Sequence, residues 1–210
     1  MNEMELLLKE VETVLSDNPR THVKFEMDDN TNELGMLYFQ TFEMFDLYQK
    51  FPEALLIDAT YCVNKKQMPL YCLMCQDGDG HGRIVAYAIV WNESYLRIQS
   101  ILTTFKEKNY CGNLRSMVMD KDLTEIKVVK EVFPDLPVII CKFHVLKAFK
   151  KETSRISCMQ TREEACSLLQ KIVLASSSDV YDQLYADLRT TLRSSPEFLA
   201  YYDRKLARCA

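Results

Sequence analysis

With 210 residues, 48% of them hydrophobic and 27% charged, the chain is long enough to bury a real core and reads as a soluble globular protein. No apolar run reaches the roughly 18 residues of a membrane span, the opening Met1-Asn2-Glu3-Met4-Glu5 lacks the basic-then-apolar order of a signal peptide, and the eight cysteines lie mostly inside apolar runs. The expectation is an intracellular protein in a reducing compartment, with no membrane contact. A net charge of −4 and no long basic run leave any DNA contact to a local patch.

Apolar residues at Leu6, Leu7, Val11, Val14 and Leu15 have helical spacing, so a helix opens the chain. His22 to Met27 alternates, Asp28 to Asn32 is a polar turn, and Met36 to Phe39 resumes the apolar run, which predicts a β-hairpin. A short helix from Phe42 to Tyr48 ends before Pro52. Three strands follow, Ala54 to Val63, Leu70 to Gln76 and Arg83 to Trp91, the last two separated by the hairpin-like turn Asp77-Gly78-Asp79-Gly80-His81-Gly82. Tyr95, Ile98, Ile101, Leu102 and Phe105 mark a crossover helix, and Leu114 to Met119 returns to strand character, as a parallel pairing requires. Asp122-Leu123-Thr124-Glu125 reads as a capping-box helix start, with Pro134 as the stop and Pro137 to Cys141 as the fifth strand of the series. From Phe143 onward the pattern is helical, and Ser195-Pro196 starts the last helix.

The order β-β-β-α-β-α-β-α predicts an α/β protein with a ribonuclease H-like mixed sheet, a three-strand antiparallel meander plus two parallel strands, flanked by helices. We divide it into residues 1–50, an N-terminal helix and hairpin; 51–152, the ribonuclease H-like part; and 153–210, a helical region. In such a sheet the first and fourth strands lie side by side at a topological switch point, where ligands bind. Asp58, inside Leu55-Leu56-Ile57-Asp58-Ala59-Thr60-Tyr61, and Asp120, closing Met117-Val118-Met119, fall on those two strands. A charge in an apolar run needs compensation, and a divalent cation is one source of it; a hydrogen bond to Thr60 or to backbone is another. Asp122 reads chiefly as a helix cap.

Phe51-Pro52, Asp58-Ala59-Thr60-Tyr61, Asn64, Met68-Pro69-Leu70, Asp120-Lys121-Asp122, Phe133-Pro134 and Cys141-Lys142-Phe143-His144 together resemble the Mutator-like transposases and the proteins domesticated from them. The wording is most similar to the transposase-derived domain of zinc finger SWIM domain-containing proteins. The resemblance implies that Asp58 and Asp120 are the first two acids of a DDE triad holding Mg²⁺ or Mn²⁺, and it implies a nuclear location with DNA or nuclear proteins as partners. It places the third acid, a glutamate, after a long helical insertion, for which Leu168 to Leu206 stands here; Glu152, Glu163, Glu164 and Glu197 are candidates by residue type alone.

Cys141 and His144 have the spacing of half a Zn²⁺ site, but no second pair completes four ligands. Cys72 and Cys75, three apart on a strand, point to opposite faces and read as buried side chains. The SWIM signature, Cys-x-Cys followed by Cys-x-His, does not occur in this sequence. Lys142, Lys147, Lys150 and Lys151 form a basic helix face that is either solvated or turned to phosphate, and Tyr181, Tyr185, Tyr201 and Tyr202 keep the helical spacing of core packing. No phosphate-binding glycine loop or nucleophile elbow is present. The expected function is a domesticated, catalytically inactive DDE domain acting as a DNA- or protein-interaction module. The competing readings are an active Mg²⁺-dependent nuclease or strand transferase and a scaffold that binds protein only.

Overall fold

The computed structural model describes residues 3–28, 33–60 and 66–205. Helical spacing at the start becomes α1 (Glu3–Asp17), and the alternating segments become β1 (His22–Met27) and β2 (Leu34–Gln40). Thr41 then starts α2 (Phe42–Lys50), its hydroxyl accepting the Met44 N–H at 3.2 Å. The meander is β3 (Ala54–Thr60), β4 (Leu70–Gln76) and β5 (Gly82–Val90). The predicted continuation of β3 through Tyr61, Cys62 and Val63, with Asn64 and Lys65 after it, lies outside the described residues.

The Asp77 side chain ties the β4–β5 turn together. Asp77 accepts the backbone N–H groups of Asp79 at 3.1 Å and His81 at 2.8 Å on one oxygen and Arg83 Nε at 2.7 Å on the other. Gly80 sits at φ +83°, where a side chain would be strained. Beyond the meander come α3 (Tyr95–Lys108), β6 (Ser116–Met119), α4 (Leu123–Val132) and β7 (Val138–Ile140), then α5 (Lys142–Thr153), α6 (Met159–Val173), α7 (Ser178–Thr191) and α8 (Pro196–Lys205).

The seven strands form one mixed sheet in the order β1-β2-β5-β4-β3-β6-β7. The β3–β4, β4–β5, β2–β5 and β1–β2 pairings are antiparallel, and β3–β6 is parallel, with α3 in the crossover. The hairpin continues the sheet outward from β5, pairing Met36 with Val90 and Phe39 with Tyr87. The architecture is the α/β, ribonuclease H-like arrangement expected from the element order.

Alternation along the strands decides the faces. Leu55 and Ile57 of β3, Leu73 and Cys75 of β4, and Met117 and Met119 of β6 are buried on one face, beneath Ile98, Ile101, Leu102 and Phe105 of α3 and Val128 and Val129 of α4. Each such side chain contributes about 1.5–3 kcal/mol by leaving water. The buried Gln40 is satisfied, donating to the Val85 carbonyl at 2.9 Å and to Asn109 Oδ1 at 3.0 Å.

The chain divides into two compact units, residues 1–139 and 140–210. The second has its own core of Phe149, Leu169, Leu188, Leu192, Phe198 and Tyr202. Tyr202 stacks on Phe149 and on Tyr185, with ring centroids 5.8 and 5.5 Å apart, in line with the core packing expected of the tyrosines. Among the described residues, no helix is long and apolar enough to cross a membrane.

Candidate functional site

The parallel register fixes where the two aspartates stand. Ala54 is level with Ser116, Leu55 with Met117 and Leu56 with Val118. The offset of 62 residues that joins Ala54 to Ser116 also joins Asp58 to Asp120, so continuing the register one residue past the end of β6 sets the two side by side. Alternation puts both on the face opposite the core, with Leu56 and Val118, and Cys72 of β4 is the cross-strand partner of Asp58. Burial, and after it the Asp58 charge, push the Cys72 thiol up. Asp58 is half-buried, whereas Asp120 is exposed and its carboxylate accepts the N–H of Lys121 at 2.6 Å.

Asp122 is the cap of α4, accepting the N–H groups of Thr124 at 2.8 Å and Glu125 at 2.9 Å. Glu125 goes further than the capping-box reading of the sequence. Its side chain is 8% exposed and accepts a hydrogen bond from the Tyr71 hydroxyl at 3.1 Å. Burial pushes its carboxyl up to about 7, the charges of Asp122, Glu93 and Asp120 add to the shift, and the Tyr71 bond opposes it. Tyr71 lies level with Ala59 on the core face of β4. The buried carboxyl is thus held by Tyr71 from the core face of β4, while the Asp120 charge still reaches it. The local pattern around Glu125 carried no sign of this contact, because Tyr71 is 54 positions away.

Two carboxylates level on adjacent strands suit a hard, oxygen-seeking cation such as Mg²⁺ or Mn²⁺. Among the described residues, the group of three metal-competent side chains with ligand atoms within 4.8 Å of one another is instead Asp77, Asp79 and His81 in the β4–β5 turn. Both Asp77 oxygens already serve that turn, one on backbone N–H groups and one on Arg83.

In the second unit, Cys141 is the residue before α5 and makes no side-chain cap, and the His144 ring packs edge-on against Phe143 with centroids 5.4 Å apart. Among the described residues, neither joins a group of three ligand side chains. Glu152 pairs with Arg155 at 2.6 Å, Glu164 accepts from Gln160 at 3.1 Å, and Glu163 and Glu197 are exposed. Lys142, Lys147, Lys150 and Lys151 are all exposed on α5. Cys75 is fully buried and Cys72 half-buried, on opposite faces of β4, as expected.

Residues 12–139 match the family described as Zinc finger SWIM domain-containing protein 1/3, RNaseH-like domain. Among curated proteins, the PKS-NRPS hybrid synthetase cheA of Chaetomium globosum is 28% identical over 118 residues, which is 55% of this chain and 2% of the synthetase. The chain thus spans a very small part of that relative's length.

Proposed function

The chain belongs to the RNase H-like domain family of zinc finger SWIM domain-containing proteins 1 and 3, and on that footing we propose that it is a domesticated DDE transposase-derived domain that serves in the nucleus as a DNA- or protein-interaction module and does not cut DNA. One relation carries the reading. Continuing the β3–β6 register brings Asp58 and Asp120 level, while the buried carboxyl of Glu125 is bound to Tyr71, which lies on the core face of β4. The pair supplies oxygen ligands for one Mg²⁺ or Mn²⁺. In-line displacement at a phosphodiester with two metals calls for further carboxylate ligands around both ions. Among the described residues of the sheet unit, no third ligand side chain joins the pair within 4.8 Å.

The same alignment favours a second reading, an active Mg²⁺-dependent nuclease or strand transferase, because it is the placement of the first two acids that such chemistry needs. Incubating the full chain with supercoiled plasmid and Mg²⁺ or Mn²⁺ separates the two. The interaction module leaves the plasmid as intact as Asp58→Asn does. Nicking that is lost in both Asp58→Asn and Asp120→Asn overturns it in favour of the nuclease.

A further inference from the structure

We propose that the groove between α5 and α6 is a docking site for an acidic amphipathic helix of a partner protein. The inference rests on the reading of the chain as an interaction module and names the surface and the chemistry of what it takes.

The groove is an open depression of about 530 Å³ within the second unit. Its floor is Phe149 and Leu169, 4% and 1% exposed, and both belong to the core of that unit. Leu146 and Phe143 also line it, Phe143 with 67% of its surface in water. An exposed phenylalanine beside an apolar floor leaves apolar surface in water unless something covers it. Two of its α5 residues, Lys147 and Lys150, are exposed lysines, and among the described residues no acidic side chain lines the groove.

Helical spacing explains the layout. Phe143, Leu146, Lys147 and Lys150 recur at intervals of three and four, so they share one stripe of α5. That stripe offers apolar anchoring next to positive charge. An amphipathic helix with bulky apolar residues at i, i+3, i+4 and i+7 and carboxylates on its flanks matches both features at once. A phosphate backbone would satisfy the lysines and leave the exposed Phe143 ring in water, which decides between the two classes of ligand.

The test uses the full chain and a fluorescein-labelled peptide of about four helical turns, with Leu and Phe on one face and Glu and Asp elsewhere, read by fluorescence anisotropy. The controls are a peptide of the same composition with the apolar residues scrambled and a labelled single-stranded oligonucleotide. Saturable binding of the amphipathic peptide is expected, weakened about tenfold or more by Lys147→Glu with Lys150→Glu and also by Phe143→Ser, all at exposed positions. Equal binding of the scrambled peptide overturns the proposal, as does binding that the three substitutions leave unchanged or the absence of binding. An oligonucleotide that binds through the two lysines while the peptide does not would assign the stripe to nucleic acid. Plasmid cleavage measured on the same samples keeps the outcomes apart: loss of peptide binding without cleavage removes the groove alone, whereas cleavage dependent on Asp58 removes the interaction-module reading beneath it.

Discussion

The β3–β6 register that pairs Leu56 with Val118, carried two residues further, brings Asp58 level with Asp120, 62 residues away in the chain. Strand alternation sends Ile57 and Met119 into the core and turns the following aspartates the other way. The core residues that order the two strands therefore also set the spacing of the carboxylates. Asp58 stands inside β3 and Asp120 just past the end of β6, at the start of the connection to α4.

Asp122 caps α4, and the proposed cation site gives Asp120, two residues before it, a separate task. Asp122→Ala removes two hydrogen bonds to the first turn of α4 and should cost about 1 kcal/mol of stability, seen as a lower midpoint in urea, with cation affinity unchanged. Asp120→Asn should do the reverse, leaving the midpoint close to wild type and weakening the cation. The same outcome for both variants would contradict this division of roles.

Glu125 predicts a pH dependence of stability. Its carboxyl titrates near 7 in the folded protein and near 4.3 in an unfolded chain, so between those values the folded state holds the extra proton. Stability from this group is fully present below about pH 4 and is lost as the pH rises toward 7, by on the order of 3 kcal/mol. Glu125→Gln, which cannot ionise, should flatten the curve and be the more stable form at pH 8. Urea denaturation at pH 5 and pH 8 provides the check, and parallel curves for the two proteins would refute it.

Tyr71 works against that shift, because its hydroxyl hydrogen bond favours the charged form of Glu125. Tyr71→Phe should move the alkaline loss of stability to higher pH and cost about 1–3 kcal/mol once Glu125 is ionised. In the Glu125→Gln background the same substitution should lose its effect on the pH dependence. A double-mutant cycle measured at pH 8 gives the coupling directly.

Much of the fold was legible because local pattern and final environment agree. The alternation of His22 to Met27, the apolar run before Asp58, and Asp122 followed by an apolar helix face each describe a segment whose neighbours are near in sequence. The attachment of the hairpin was not legible, since β2 is hydrogen bonded to β5 some fifty residues later and nothing in Met36-Leu37-Tyr38-Phe39 names that partner. Glu125 was hidden for the same reason. Its position three residues after Asp122 fits a capping box, and only the closure of the sheet brings Tyr71 within 3.1 Å of it. The groove on α5 was half-visible: the lysines stand out in the sequence, but the phenylalanine left exposed beside them shows only when α6 is packed in place.

The proposed reading makes Asp58 and Asp120 the ligands of one cation. Calorimetric titration of Mn²⁺ into the wild-type protein and into Asp58→Asn and Asp120→Asn is the decisive measurement. A single saturable binding event is expected in wild type, abolished or weakened about tenfold or more by either substitution. No binding by the wild-type protein, or binding that survives both substitutions, would contradict it; in the second case the Asp77-Asp79-His81 turn is where the ion would next be sought.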